Sequence, residues 1–367
     1  MGRVHGADVL DSAEKTGISE SDITDFSSNV NIFLPDLDYD KIFLQAKKRL
    51  SLYPDLSYRK LRQSAASHYS VKKEHIVPGN GASELIYLIN RLPDFLSVGI
   101  VNPTFCEYER AARIAGKTVI HFSFEEIDGI IRGEIPEGKK FPDLLIICNP
   151  NNPTAEIRSL EKLLEICGQR GTHLLVDETF LDFQRNEDFS LTPRIEDSQN
   201  LSLLKALTKY PAMTGLRLGF LLSSNRAMIS QLWEYKEPWS VNCLAEQAAI
   251  ELFAEGGRSH LEIFRKKTQS YYEEESLRLH LLYGEIERVK KISEGRANYL
   301  LLEFERGISS ESMKTFLLQQ KGFLVRSCTD FRGLDERYLR IAVKERAKND
   351  ALSEAIKEYL KFASDCR

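Results

Sequence analysis

The feature that most constrains the fold is a repeated alternation of short apolar segments with helical segments in the middle of the chain. The strand-like segments are residues 97–101, 117–123, 143–150, 173–177, 201–207 and 218–223. Two helical segments between them, "FCEYERAARIAG" (105–116) and "SLEKLLEICGQRG" (159–171), both end on glycine, a common helix stop. This alternation predicts an α/β protein with a mainly parallel sheet and helices on both faces. Ligands of such sheets bind at the carboxyl ends of the strands.

The pattern changes after about residue 225. Residues 255–292 are predicted to form one long charged amphipathic helix, followed by strands at 297–305 and 338–344 with a helix at 309–322 between them. This order is typical of a smaller α+β domain. The first forty residues are rich in loops and are expected to pack beside it. We therefore predict a large domain over 40–250 and a small domain over 1–39 plus 251–367.

Charge and composition exclude several classes of function. The net charge is −4 over 367 residues, which gives no indication of a nucleic-acid partner. No apolar run approaches the roughly 20 residues of a membrane-spanning helix, and the N-terminal segment lacks the apolar core of a signal peptide. The six cysteines are scattered without metal-ligand spacing, which indicates reduced thiols and no metal site. We expect a cytoplasmic protein with no membrane association.

The segment "VPGNGASELIYLINRL" (77–92) places small residues directly before an apolar helix. Free backbone amides at a helix start, together with the helix dipole, form a cradle for phosphate. A dinucleotide fingerprint would need glycine where Glu84 stands, and the G-K-[ST] of a Walker loop is absent. A purely structural role, with Ser83 as the helix N-cap, is an equally good interpretation of this segment alone.

Two polar residues follow buried strands. Asn152, in "NPNNPTAE" (149–156), would project an amide from the ligand-binding edge, although Asn and Pro at a strand end are usually turn residues. Asp177 ends "HLLVD", and a carboxylate at the end of a buried strand needs a partner. That partner would be a protonated heterocyclic nitrogen, or Asp177 would instead be the N-cap of the next helix.

The segment "KALTKYPAMTGLRLGFLLS" (205–223) places Lys209 and Arg217 among apolar residues. They are either surface charges beside a core strand or two fixed cations of one site. A lysine that forms a covalent bond with an aldehyde needs burial to lower its pKa. A cofactor with a pyridinium nitrogen needs an acid, and a cofactor phosphate needs amides and a cation. Pyridoxal 5′-phosphate (PLP) requires all of these groups.

With this set of motifs in this order, the sequence resembles the fold-type-I aminotransferase superfamily of PLP enzymes over nearly its whole length. The resemblance implies that Lys209 binds the cofactor covalently and that Asp177 pairs with its pyridine nitrogen. It also implies a homodimer in which Tyr53, from "SLYPD", reaches the cofactor phosphate of the neighbouring subunit. The other implied cofactor contacts are the amides of Gly81, Ala82 and Ser83, the aromatic face of Phe105, and the side chains of Asn152, Thr208 and Arg217.

Within the superfamily the sequence resembles two branches. Histidinol-phosphate aminotransferase shares "NPNNPT", "YPD" and the final "LRI". Threonine-phosphate decarboxylase of cobalamin biosynthesis shares "DFSSNVN" (25–31), "EPWSVNCLA" (237–245) and above all "VRSCTDFRGLDERYLRIAV" (325–343). We favour the decarboxylase branch. Phe180 and Ala206 depart from the superfamily pattern, which often has Tyr and Ser or Thr there.

The resemblance implies that the substrate is an O-phospho amino acid, phosphothreonine or phosphoserine, which loses CO₂. Arg326 and Arg340 are the leading anchors for its anionic groups, because arginine binds carboxylate or phosphate through two hydrogen bonds. Asn31, Asn152 and His5 are further candidates, although His5 could equally be a surface residue. A non-catalytic sensor with this fold is the remote alternative, and the intact Lys209 and Asp177 argue against it.

Overall fold

The computed structural model describes residues 6–134, 138, 140–185 and 187–365. Its strands are β1 (Thr24–Asp25), β2 (Ile76–Gly79), β3 (Ser97–Asn102), β4 (Thr118–Ser123), β5 (Leu144–Cys148), β6 (His173–Asp177), β7 (Leu201–Ala206), β8 (Gly219–Leu222), β9 (Val289–Ile292), β10 (Tyr299–Phe304), β11 (Phe323–Leu324), β12 (Arg326–Ser327) and β13 (Tyr338–Ala342). Its α-helices are α1 (Val9–Thr16), α2 (Tyr39–Lys47), α3 (Arg59–Tyr69), α4 (Gly81–Arg91), α5 (Cys106–Ile114), α6 (Phe124–Ile131), α7 (Glu161–Gln169), α8 (Arg226–Tyr235), α9 (Cys243–Leu252), α10 (Glu255–Gly284), α11 (Ser310–Lys321) and α12 (Arg346–Asp365).

A seven-stranded sheet forms the centre of the molecule, in the order β2-β8-β7-β6-β5-β3-β4. The strands from β7 to β4 are parallel, whereas β8 runs antiparallel to both of its neighbours. Apolar clusters cover both faces of this sheet: Leu203 of β7 belongs to one cluster and Leu204 to the other. The predicted α/β class with a mainly parallel sheet and flanking helices is therefore confirmed.

A second sheet is antiparallel, in the order β12-β13-β10-β9, and a third apolar cluster packs on it. The N-terminal segment joins this region, because Thr24 and Asp25 of β1 pair in parallel with Phe323 and Leu324 of β11. The proposed boundaries at residues 39/40 and 250/251 stay a prediction. No helix in the described part of the chain has the length and apolar character needed to cross a bilayer.

The long charged helix predicted over 255–292 is wrong at its end. The helix stops at Gly284, and Val289–Ile292 instead form a strand beside β10. Val289 and Ile292 pack against the core of the second sheet, whereas the two lysines between them are exposed. The charged "VKK" continues the composition of the helix, and the two partly buried residues lie three positions apart, a spacing that also suits a helix, so the sequence does not indicate the strand.

Candidate active site

A cavity of about 410 Å³ lies at the carboxyl ends of β5, β6 and β7. It is the place where a parallel sheet of this kind binds ligands. Most of the side chains singled out in the sequence line it: Ala82, Ser83, Phe105, Asn152, Asp177, Thr208, Lys209, Arg217, Arg326 and Arg340. Residues separated by up to 258 positions thus meet in one cavity, and the alternative in which Lys209 and Arg217 are unrelated surface charges is wrong.

Three other predicted residues, Gly81, Asn31 and Tyr53, are not among the described residues that line this cavity. Tyr53 is 79% exposed and stacks on Trp239, with ring centroids 4.6 Å apart. Asn31 is buried, and its amide donates to the carbonyl oxygen of Tyr210 (2.7 Å) and accepts from the backbone N–H of Phe33 (3.0 Å). His5 lies outside the described residues.

Asp177 ends β6 as a buried acid at the wall of the cavity. Its carboxylate accepts a hydrogen bond from the hydroxyl of Tyr108 (2.7 Å) and another from the backbone N–H of Thr179 (2.9 Å). Burial raises the pKa of Asp177, because the charged form is poorly solvated there. No α-helix begins after it; a short 3₁₀ turn, Leu181–Phe183, follows instead, with Phe180 at its start. The N-cap alternative for Asp177 is therefore wrong, and the carboxylate is available to a cationic ring nitrogen.

Lys209 lies in the loop after β7 and lines the cavity. Burial, together with the nearby charges of Arg340 and Arg217, lowers the pKa of its ammonium group to about 8. The N-terminal segment closes over this loop, because the backbone N–H of Asn31 donates to the carbonyl oxygen of Lys209 (3.1 Å). The result is an amine that loses its proton far more readily than an exposed lysine.

The start of α4 presents free backbone amides to the cavity. The helix begins at Gly81, and no side chain caps it from Asn80, so Ser83 is its third residue and the N-cap alternative for Ser83 is wrong. Gly81 has φ +77°, and a Cβ there would stand 2.6 Å from Nη2 of Arg217. Arg217 thus lies directly over the helix start, where the helix dipole favours an anion.

Arg340 lies on β13 and connects three parts of the site. Its Nη1 donates to Oδ1 of Asn152 and its Nη2 to the carbonyl oxygen of Ser27. Asp25 holds Ser27 in place by accepting from its backbone N–H (2.7 Å) and its hydroxyl (2.6 Å). Nε of Arg340 is buried and has no hydrogen-bond partner in the described structure. Burial lowers the pKa of this guanidinium to about 10, which marks a cation in need of an anion.

Arg326 is the second arginine of the cavity and is already paired. Its Nη2 donates to both carboxylate oxygens of Asp330, at 2.8 and 2.7 Å, and its Nη1 donates to the carbonyl oxygen of Ser327 (2.9 Å). The ring of Phe331, which also lines the cavity, lies 5.2 Å from the guanidinium carbon. The two arginines therefore have different electrostatic surroundings.

Sequence reasoning missed two residues of the site. Tyr108, one turn after Phe105 on α5, reaches Asp177, and only its spacing from Phe105 could have indicated this contact. Asn29 lines the cavity, and its Oδ1 atom has no hydrogen-bond partner in the described structure. Asn31, the candidate predicted from the same "NVN", does not line the cavity. The alternation of two asparagines in an irregular loop gives no signal for which one faces the cavity.

The residues present fit PLP. The α4 amides with Arg217 would hold its phosphate, Asp177 its ring nitrogen, Phe105 one face of its ring and Lys209 its aldehyde carbon. Two glycines leave room for a phosphate cradle at the start of α4. A Cβ on Gly219 would stand 2.7 Å from the backbone nitrogen of Ala82, and a Cβ on Gly81 would stand 2.6 Å from Nη2 of Arg217. Phe180 lines the cavity without a hydroxyl, so it offers no hydrogen bond to the ring oxygen.

The chain is similar to known PLP enzymes over most of its length. The model of the family "Aminotransferase class I and II" matches residues 21–356. Threonine-phosphate decarboxylase of Salmonella typhimurium is 32% identical over 361 residues, with 97% of this chain and 96% of the relative covered. Histidinol-phosphate aminotransferase of Caldanaerobacter subterraneus is 30% identical over 317 residues, with 85% of each chain covered. The crystal structure of the histidinol-phosphate aminotransferase from Clostridium acetobutylicum has a TM-score of 0.80 at 28% identity and covers 91% of this chain and 98% of its own. The chain therefore belongs to the class I and II aminotransferase family, with the fold-type-I architecture and PLP as its cofactor.

Proposed function

We propose that the enzyme decarboxylates an O-phospho amino acid, either O-phospho-L-threonine or O-phospho-L-serine. The observation that carries the proposal is the presence of two arginines, Arg326 and Arg340, in the same cavity as Lys209. Such a cavity suits a substrate with two anionic groups, a carboxylate and a phosphate, on either side of an amine. The 32% identity to a threonine-phosphate decarboxylase over 97% of the chain supports the same choice.

When bound, PLP supplies an electron sink that makes the bonds at the substrate Cα labile. The protein's own residues would then decide which of these bonds breaks, because they set the orientation of the substrate. In this proposal Asp177 keeps the ring nitrogen protonated, and its hydrogen bond from Tyr108 keeps the carboxylate in position. Lys209 holds the cofactor and moves protons at Cα, which its lowered pKa favours.

Arg340 and Arg326 would orient the substrate between them. Arg340 has neutral hydrogen-bond acceptors and an unpartnered Nε, so it attracts an anion without having to release one. The arginine that holds the carboxylate would thereby help to decide between loss of CO₂ and cleavage of Cα–H, the second of which leads to transamination.

Transamination of a histidinol-phosphate type of substrate is the second candidate function. It is favoured by the 30% identity to a histidinol-phosphate aminotransferase and by a TM-score of 0.80 to another. Histidinol phosphate carries one anionic group, so in that half of the reaction only one of the two arginines would have a substrate anion to bind. The cavity therefore favours the phospho amino acid.

The test is to incubate the holoenzyme with O-phospho-L-threonine, with O-phospho-L-serine, or with histidinol phosphate plus 2-oxoglutarate. We expect release of CO₂ from a phospho amino acid without consumption of a keto acid, and no release by the Lys209→Ala variant. Stoichiometric formation of glutamate from 2-oxoglutarate, with no CO₂, would instead establish an aminotransferase. The single methyl group that separates the two phospho amino acids is worth about 1–3 kcal/mol, so both should be tested.

We also infer that the active unit is a homodimer. Tyr53 and Trp239 form an exposed aromatic pair, 79% and 40% exposed, that makes no contact with the cavity of its own chain. Leu50, Leu52 and Leu56 are exposed in the same segment. Apolar residues clustered in this way are typical of a surface that another chain covers. A second copy would bring Tyr53 to the neighbouring site.

A further inference from the structure

We propose that Asp330 is a displaceable counter-ion of Arg326, which an anionic group of the substrate replaces on binding. The proposal rests on the proposed function for the identity of that group, a phosphate ester. It concerns the state of the site before the substrate arrives. Asp330 would thus lower the affinity of the cavity for any anion that binds to Arg326, because the two compete for the same guanidinium.

One guanidinium nitrogen of Arg326 carries the whole contact with Asp330. Both carboxylate oxygens of Asp330 accept from Nη2 of Arg326, and the guanidinium side chain is only 7% exposed. Phe331 covers the guanidinium face from the same segment. The positive charge of Arg326 is therefore already balanced in this structure. An anionic ligand gains the full electrostatic attraction of the guanidinium only if Asp330 moves away from it.

Of Arg326 and Arg340, only Arg326 is paired with a carboxylate in the described structure. Arg340 donates to an amide oxygen and a backbone carbonyl, both neutral, and keeps a buried Nε without a partner. A substrate carboxylate can therefore approach Arg340 without competition from an acid that already holds it. At Arg326 the same approach requires an exchange of one anion for another.

The position of Asp330 makes the exchange possible. Its side chain is 29% exposed, so the carboxylate can turn towards water when it leaves Arg326. A phosphate ester carries about −1.5 to −2 charges at pH 7 and three acceptor oxygens, compared with one charge on Asp330. Phosphate therefore competes well for the guanidinium, whereas a simple monoanion gains little over the resident carboxylate.

The test measures binding of inorganic phosphate to the holoenzyme by titration calorimetry, with bound PLP occupying the cofactor phosphate site. We expect the Asp330→Asn variant to bind phosphate about five- to tenfold more tightly than the natural enzyme. Asp335→Asn is the matched control, because Asp335 pairs with Arg337 through both oxygens in the same segment and does not line the cavity. Its phosphate affinity should not change.

The gain should disappear when Arg326→Gln is added to Asp330→Asn, because the freed guanidinium is then absent. In turnover, Asp330→Asn should lower the KM for O-phospho-L-threonine. If Asp330 only held Arg326 in position, the Asp330→Asn variant would bind phosphate more weakly and would have a higher KM. Either result would overturn the proposal, and so would a phosphate affinity equal to that of the natural enzyme. The phosphate titration needs no turnover, so a natural enzyme that releases no CO₂ would contradict the proposed function and not this inference.

Discussion

Positive charge is concentrated around Lys209, and this concentration sets its reactivity. Arg340 and Arg217 both lower its pKa, in addition to the larger effect of burial, and no carboxylate is bonded to the amine in the described structure. The sequence identified these three residues from their motifs. It could not identify the contact of Tyr108 with Asp177, because that hydrogen bond joins α5 to β6 across 69 positions and depends on the packing of the helix on the sheet.

The effect of Arg340 on the pKa of Lys209 should be measurable in the reaction of the apoenzyme with PLP. Lys209 must be neutral to react with the aldehyde of PLP, so the rate of reconstitution should rise with pH to a midpoint of about 8. Arg340→Met removes one nearby cation, and the midpoint should move upward, with a rate at pH 7 about threefold lower. Stopped-flow absorbance over pH 6–10 measures both quantities.

The control for this experiment is Arg337→Met. Arg337 lies beside the same strand and pairs with Asp335 and Glu303, outside the cavity. It should leave the midpoint in place. A natural midpoint near the ordinary lysine value of 10.5, or equal shifts in the two variants, would show that burial and Arg340 do not control Lys209.

Among the elements, the start of α4 shows how far motifs can be interpreted. Small residues before an apolar helix predicted a phosphate cradle, but they fitted a structural cap as well. The decisive features are the positive φ of Gly81 and its closeness to Arg217, and the pairing of β2 with β8 brings these two residues together. Local sequence does not contain that pairing.

Substitution of Gly81 should separate backbone strain from loss of the cofactor site. Gly81→Ala and Gly116→Ala both place a Cβ on a residue with positive φ, +77° and +71°, so each should lower the free energy of unfolding by about 1 kcal/mol. Only at Gly81 does the Cβ meet Arg217, since nothing lies within 4 Å at Gly116. Gly81→Ala should therefore also weaken PLP binding about tenfold.

Equilibrium titration of the two apoenzyme variants with PLP measures this difference, and urea denaturation measures the stability. Equal PLP affinities of Gly81→Ala and Gly116→Ala would rule out a role of the Gly81 and Arg217 contact in holding the cofactor phosphate. A large loss of stability in Gly116→Ala alone would show that the strain at that position was underestimated.

For the whole molecule, the sequence predicted the class of the central sheet but not its complete order. The six segments found between residues 97 and 223 are all strands of that sheet, with small shifts at their ends. The edge strand β2, the antiparallel direction of β8 and the pairing of β1 with β11 were not predicted. Each depends on contacts between distant segments, for which a short apolar run gives no register or direction.

The proposed homodimer can be tested through Tyr53, because in that assembly Tyr53 would complete the site of the neighbouring subunit. Lys209→Ala and Tyr53→Ala homodimers should both have low activity. A purified heterodimer of these two variants should regain about half the activity of the natural dimer, since one of its two sites has an intact Lys209 and receives an intact Tyr53. The matched control carries both substitutions on one chain and pairs it with a natural chain. In that dimer the intact Lys209 faces a partner without Tyr53, so activity should stay low. If Tyr53 served its own chain, or neither chain, the control heterodimer would be at least as active as the first one.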